Sequence, residues 1–225
     1  MFINETSIEE MKDIAIFGAG GLGKEVACLI NTINEKEPTW KFVGFFDDNP
    51  ALNGKMISHF GPCLGDTDAL NAYPEDLSLV MAIGHPQTVK KVVEGITNPH
   101  ISYPNLIHPS FVVTDPATFQ IGRGNIIQAN CTVTVDVKMG DFNLLNGSVC
   151  LGHDVKVGSF NAFMPGVKVS GEVKIGDENF FGVYAVVLQQ LTIGSRIRLG
   201  AGSVLMRPPK DGCLYIGNPA LKTEL

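Results

Sequence analysis

Met139-Gly140-Asp141-Phe142-Asn143, Val157-Gly158-Ser159-Phe160-Asn161 and Ile175-Gly176-Asp177-Glu178-Asn179 are one phrase written three times, eighteen residues apart; Ile121-Gly122-Arg123-Gly124-Asn125 stands one period upstream. Inside that period lies a shorter one of six. Ile121, Ile127, Val133, Met139, Leu145, Leu151, Val157, Phe163, Val169, Ile175, Phe181, Val187, Ile193, Leu199 and Leu205 are all apolar. With 44 % hydrophobic residues in the chain, fifteen consecutive apolar positions arise by chance about 5 times in a million. Glycine follows directly at eight of the fifteen, where a short repeat must turn without a Cβ clash. Three hexads per eighteen residues make a triangular solenoid, each side a short strand and each corner a turn. The fifteen apolar side chains fill its interior. Asn125, Asn143, Asn161 and Asn179 recur at one corner; asparagine tolerates left-handed backbone angles and bonds its own image one coil away, so these four form a ladder. Five coils at ~4.8 Å per strand give a prism roughly 24 Å tall. A β-sandwich would show period two with turns every 8–12 residues instead.

Upstream the texture differs. Ile14-Ala15-Ile16-Phe17 is an apolar run ending in Gly18-Ala19-Gly20-Gly21-Leu22-Gly23, followed by an amphipathic stretch to about Asn34: strand, glycine turn, helix. A second strand, 41–46, ends in Asp47-Asp48. A third, 79–83, ends in Gly84-His85-Pro86 and leads into a helical segment to about Gly95. Strands alternating with helices predict a parallel sheet. Ile101 to Asn105 makes a last short strand and a linker. The domains divide into 1–105 and 106–225.

Gly18-x-Gly20-x-x-Gly23 with Asp47 downstream is a dinucleotide spacing, which alone suggests NAD and an oxidoreductase. Only about 105 residues precede the solenoid, however, with strands for one half of a dinucleotide fold. Half a site fits a mononucleotide. Gly18, Gly20, Gly21 and Gly23, with the helix start behind them, are therefore assigned to an anionic or sugar part of a ligand, and Asp47 or Asp48 to ribose or base. Gly84 and His85, at a strand's carboxyl end, are assigned to the same ligand.

Composition narrows the classes. A net charge of −6 supplies no broad cationic surface, which argues against a nucleic-acid or membrane partner. Residues 1–12 are polar and acidic where a secretory leader would be basic and then apolar, and no apolar stretch nears the roughly 20 residues of a membrane span. A cytoplasmic protein is expected. Five scattered cysteines without CxxC spacing suggest neither a disulfide framework nor a zinc knuckle, and one histidine within the repeats is too few for a three-imidazole zinc site, so no metal is expected.

A glycine-turn domain, then hexapeptide repeats containing Leu151-Gly152-His153-Asp154-Val155, then Ile216-Gly217-Asn218-Pro219-Ala220, resembles the bacterial left-handed β-helix acyltransferases that acetylate sialic acid or nucleotide-linked 4-amino sugars. The resemblance implies a small Rossmann-like parallel-sheet domain followed by a left-handed parallel β-helix of about five coils. It also implies a homotrimer, acetyl-CoA between neighbouring β-helices, and the nucleotide sugar on the N-terminal domain. His153 matches the family's general base, Asp154 the acid that follows it, and Asn146 the polar residue one hexad earlier. Some members carry a second histidine in the next coil, where this chain has Asn161-Ala162-Phe163-Met164, so that histidine's role is not carried over.

The chemistry is compatible. A thioester is already activated, so the enzyme must deprotonate the acceptor and stabilise an oxyanion; an imidazole accepts a proton at neutral pH and a backbone N–H from an adjacent coil meets the oxyanion. Gly171, Gly182 and the backbone around Ala185 leave room for the pantetheine arm. Arg196, Arg198, Arg207 and Lys210, the one basic concentration in the last third, are candidates for its phosphates. The expected activity is acetyl transfer from acetyl-CoA to an amino sugar on a nucleotide, for surface glycan precursors. O-acetylation, the NAD-dependent oxidoreductase and a non-catalytic sugar-nucleotide scaffold stand as alternatives.

Overall fold

The computed structural model describes residues 11–223; residues 1–10, on which most of the argument against a leader rests, lie outside them. The first part is a sheet of order β3-β4-β2-β1-β5-β6: β1 Lys12–Phe17, β2 Trp40–Phe46, β3 Met56–Ile57, β4 Gly61–Gly65, β5 Leu77–Met81 and β6 Ile101–Ser102. All neighbours run parallel except β3 on β4. Helices α1 Gly21–Lys36, α2 Thr67–Asn71 and α3 Pro86–Gly95 connect them. The sequence reading missed β3, β4 and α2. Gly61-Pro62-Cys63-Leu64-Gly65 is bounded and interrupted by the residues that normally mark turns, yet it lies parallel to β2, with Pro62 on the side of the short antiparallel strand. The sheet thus has five parallel strands, more than the single half-fold expected.

From Leu106 the chain winds as a three-sided left-handed β-helix. Strands beginning with Leu106–Ile107, Val112–Val113 and Gln120–Ile121 found its first, second and third faces, and each repeats one coil later in parallel register. Fourteen of the fifteen expected core residues are buried; Ile121, in the first coil, is half-buried. Every hexad but the first also buries a second residue two positions earlier, Val137, Val155 and Val173 for example. The solenoid begins two strands before the detected period, because Val113 and Ile121 are eight residues apart around the Asp115 turn. It ends with a shortened coil, Leu199 pairing with Tyr215, and an antiparallel hairpin of Leu214–Gly217 and Ala220–Thr223.

The asparagine ladder forms at the edge between the third and first faces. The Asn143 backbone N–H and Nδ2 both donate to Asn125 Oδ1, and the pattern repeats from Asn161 to Asn143 and from Asn179 to Asn161 at 2.8–3.1 Å. The left-handed backbone angle belongs to the preceding residue, however: Gly124, Phe142, Phe160 and Glu178 have positive φ and the asparagines do not. The repeated glycines act differently too. A Cβ on Gly158 would sit 2.7 Å from the Gly176 carbonyl oxygen, so glycine there permits coils to stack.

The two parts share a core. Leu106, Ile126, Leu144 and Ala162, the outward residues of the first face, are buried with Val26, Ala27 and Ile30 of α1, while Phe142 and Phe160 stack 5.2 Å apart and pack with Val89 of α3. The Rossmann-like domain therefore covers the first face and the ladder edge.

Candidate active site

His153 follows Leu151 at the edge between the second and third faces. Its backbone is pinned on both sides of the stack: the Glu172 N–H donates to the His153 carbonyl at 2.8 Å, and the Asp154 N–H donates to Val135 at 2.9 Å. Asp154 occupies the left-handed corner position with φ 59°, a conformation aspartate tolerates. That turn swings its carboxylate back, and Oδ2 lies 2.9 Å from His153 Nδ1. In the tautomer that donates Nδ1–H to Asp154, Nε2 keeps its lone pair. The imidazole lies across Gly171 of the next coil, where a Cβ would overlap the ring, so a side chain there would have to displace it. Gly171 thus makes room for the imidazole. Its own N–H has no backbone acceptor among the described residues. The histidine side chain is 60 % exposed, and beside it a groove of about 490 Å³ runs along Asp154, Lys156, Glu172 and Lys174.

The structure distributes the other expected residues over three edges. Arg207 follows Leu205 as His153 follows Leu151, so it stands on the histidine edge three coils further along. There it lines a pocket of about 230 Å³ with Pro219 and Leu221. Asn146, Gly182 and Ala185 belong to the edge between the first and second faces. Asn146 is half-buried there, Ala185 is fully buried with its methyl inside the prism, and a Cβ on Gly182 would meet the Ala201 nitrogen at 2.6 Å. Lys210 lies in the loop before the hairpin, its N–H donating to the Tyr215 hydroxyl. Arg196, on the ladder edge, and Arg198, on the first face, instead meet His85 across a separate cleft. The basic concentration is therefore split, since each hexad carries the chain round a third of the prism.

In the Rossmann-like domain the glycines divide into two pairs. A Cβ on Gly18, at φ +108°, would sit 2.5 Å from the Ala82 carbonyl oxygen, and one on Gly23 would overlap the Gly18 carbonyl; both serve close packing. Gly20, Gly21 and Gly84 face open space. Gly20 caps α1 without a side-chain bond and no acid occupies the first turn, so the helix presents unpaired N–H groups there. Asp47 and Asp48, expected on ribose or base, have internal duties: Asp47 accepts from the Ala19 and Asn49 N–H groups, and Asp48 from the Thr67 N–H and hydroxyl. The acid that a dinucleotide site would direct to its ribose is here a brace for the glycine turn.

Sequence reasoning missed a second histidine–carboxylate pair, His100 Nδ1 to Asp76 Oδ1 at 2.8 Å, at the amino end of β5, far from the glycine turn. His108 accepts from the Ser110 N–H and pairs with its hydroxyl, as a structural histidine would. All five cysteines are free, and burial pushes the Cys131 thiol up to about 11, so it stays protonated in the core. Among the described residues no cluster of metal ligands occurs and no helix is long and apolar enough to cross a membrane.

Residues 13–96 match the family model described as the PglD N-terminal domain. Over 120 residues the chain is 31 % identical to the UDP-N-acetylbacillosamine N-acetyltransferase of Bacillus subtilis (strain 168), covering 53 % of this chain and 52 % of that protein; the chain thus spans about half the length of this curated relative. The acetyltransferase domain of PglB from Neisseria gonorrhoeae FA1090, in complex with acetyl coenzyme A, superposes with a TM-score of 0.83 at 30 % identity, over 95 % of this chain and 100 % of that one. PerB from Caulobacter crescentus, in complex with CoA and GDP-perosamine, superposes with a TM-score of 0.81 at 29 % identity, over 96 % and 99 %. With a Rossmann-like domain, a left-handed β-helix and sequence similarity along nearly the whole chain, the protein belongs to the bacterial β-helix acetyltransferases of nucleotide-linked amino sugars.

Proposed function

We propose that this chain transfers an acetyl group from acetyl-CoA to the amino group of a nucleotide-linked amino sugar, with His153 as general base. The observation that carries the reading is the braced imidazole: Nδ1 held by Asp154, the ring seated over Gly171, and the side chain 60 % exposed. As the acceptor nitrogen attacks the thioester carbonyl, Nε2 takes its proton, and Asp154 favours the imidazolium that forms. The Gly171 N–H is the candidate donor to the oxyanion. Collapse breaks the carbon–sulfur bond, and the departing thiolate takes the proton from Nε2. Arg207, about 14 Å away at three strand spacings, is placed for the far end of an extended donor, with the pocket at Pro219 beside it. Gly20, Gly21 and the start of α1 serve the nucleotide sugar.

The active unit we propose is a trimer. His153 stands on the edge opposite the first face, with the whole apolar interior between it and the Rossmann-like domain. An acceptor held at the glycine turn of one copy therefore meets the histidine of another. The second face suits such contact: Val112 is 52 % exposed, Val186 and Val204 are half-buried, Tyr184 stands 69 % exposed at its rim, and Lys168 is turned aside to donate to the Ser148 carbonyl. Asn146, at the rim of that face, would then approach His153 from a neighbouring copy. The relatives' nucleotide-sugar substrates support a role in surface glycan precursor synthesis, and dependence on acetyl-CoA supports a cytoplasmic location.

The test is CoA thiol release over a panel of nucleotide amino sugars, with product nitrogen acylation read by mass spectrometry and His153→Ala as control. We expect turnover with at least one 4-amino sugar and a loss of roughly 10²–10⁴-fold in the variant, with its trimer intact by light scattering. Turnover within a few-fold of the parent would remove His153 from the mechanism.

A further inference from the structure

The outward residues of the first face run Leu106, Ile126, Leu144, Ala162, Phe180 and then Arg198, paired rung on rung. The first four are buried beneath the Rossmann-like domain, Phe180 is half-buried, and Arg198 is exposed. The ladder edge beside it changes in the same direction: Phe142 and Phe160 are packed, Glu178 is bonded to Lys90 of α3 at 2.8 Å, and Arg196 is exposed. Apolar contact gives way to positive charge where the overhanging domain leaves a gap. That gap is a cleft of about 500 Å³ between the start of α3 and the last coils, lined by His85, Phe180, Arg196 and Arg198. Its one carboxylate, Glu178, is already neutralised by Lys90. Among the described residues neither guanidinium forms an ion pair.

The opposite wall is the carboxyl end of the parallel sheet. Gly84 and His85 follow β5, and His85 stands before α3 without capping its backbone N–H groups, its Nδ1 3.4 Å from the Thr88 hydroxyl. Ligands of open parallel sheets bind at this end, so anything seated on the glycine turn extends along the first face towards Arg198. Two unpaired guanidiniums suit a group with two negative charges and several acceptor oxygens, since each fork can engage two of them. Phe180 supplies an apolar platform for the part attached.

We infer that Arg196 and Arg198 hold the diphosphate of the nucleotide-linked acceptor rather than the phosphates of acetyl-CoA, and that His85 borders the same subsite. The inference rests on the acceptor class proposed above. It reassigns two residues that sequence proximity grouped with Arg207, because the donor's thioester must sit at His153 on another edge and Arg207 lies on that edge.

Nucleoside diphosphate binding reads this cleft without turnover. Titration calorimetry of the full chain with UDP, GDP and dTDP, each beside its nucleoside, is expected to show at least one diphosphate binding more tightly than its nucleoside. Arg198→Ala and Arg196→Ala should each weaken that diphosphate roughly ten- to a hundredfold, Arg198→Lys less, with nucleoside and acetyl-CoA affinities within about twofold of the parent. Both side chains are exposed, so the variants should fold, which circular dichroism checks. Diphosphate affinity unchanged in both alanine variants, weakened acetyl-CoA binding instead, or no diphosphate bound by the parent overturns the inference. If the diphosphate behaves as expected but no amino sugar is acetylated, the acceptor reading fails and the cleft assignment stands.

Discussion

Two edges of the same prism are built from the same hexad and have opposite fates. Along the edge between the third and first faces, the corner residues Phe142 and Phe160 are sealed against α3 and the interior carries the asparagine ladder. Along the edge between the second and third faces, Asp136, Asp154, Glu172 and Gln190 stand in solvent over buried Val137, Val155, Val173 and Leu191. Stacking uses the inward residues, which the repeat holds constant. The outward ones are left free by the repeat to vary, and a single histidine on one corner is what the proposed chemistry needs.

That contrast can be broken most sharply at Gly171. Gly171→Ala places a methyl against the His153 imidazole, and displacing a base by about 1 Å costs on the order of 10²-fold in rate. We expect kcat to fall roughly 10–100-fold with the melting temperature little changed. Gly158→Ala, whose methyl meets the Gly176 carbonyl at 2.7 Å, should do the reverse, lowering the melting temperature with little effect on kcat. Equal effects of the two substitutions on rate would erase the distinction between the edges.

The next effect is on stability alone. Asn161 accepts from the N–H and Nδ2 of Asn179 and donates to Asn143 Oδ1, Ser159 and Gly176. Asn161→Ala leaves several of these buried groups unpaired, a cost of roughly 2–4 kcal/mol, read by urea unfolding, with KM values of the folded fraction unmoved. A cost near zero would mean that the ladder follows from the coil geometry without stabilising it.

The smallest effect belongs to the contact where the Rossmann-like domain meets the ladder edge. The hydrogen bond from Lys90 to Glu178 raises the lysine's pKa above its ordinary value. A raised lysine stabilises the fold at neutral pH and loses that contribution only as pH climbs past about 10.5. Lys90→Ala should lower the melting temperature slightly at pH 7, and the gap from the parent should close in strongly alkaline solution. A gap that persists there would assign the effect to packing of the lysine stem.

The inside of the prism was readable because one constraint, an apolar residue turned inward every six positions, governs the stretch from Ile121 to Leu205. Where that constraint relaxes, reading failed: the eight-residue step from Val113 to Ile121 and the shortened coil from Leu199 to Tyr215 escaped any fixed period. The second buried residue of each hexad was hidden as well, since Val137 or Cys131 looks no different from a turn residue until the stack closes over it. In the Rossmann-like domain β4 was lost to its own glycines and proline. His153 is a different case. Nothing intrinsic separates it from His100, which holds a carboxylate just as closely at the wrong end of the sheet; its distinction came from resemblance and then from Gly171 beneath the ring. The role of Asp47 was invisible because a brace and a ligand contact use the same carboxylate oxygens.

The hairpin at the end of the solenoid has a consequence for self-association. The first-face stack of parallel strands ends in Leu214–Gly217, whose outer edge is taken by Ala220–Thr223 running the other way. A coil arriving from another molecule would need a parallel template, and on this face the reversed strand offers none. The ten residues of this hairpin therefore disfavour end-to-end growth on this face.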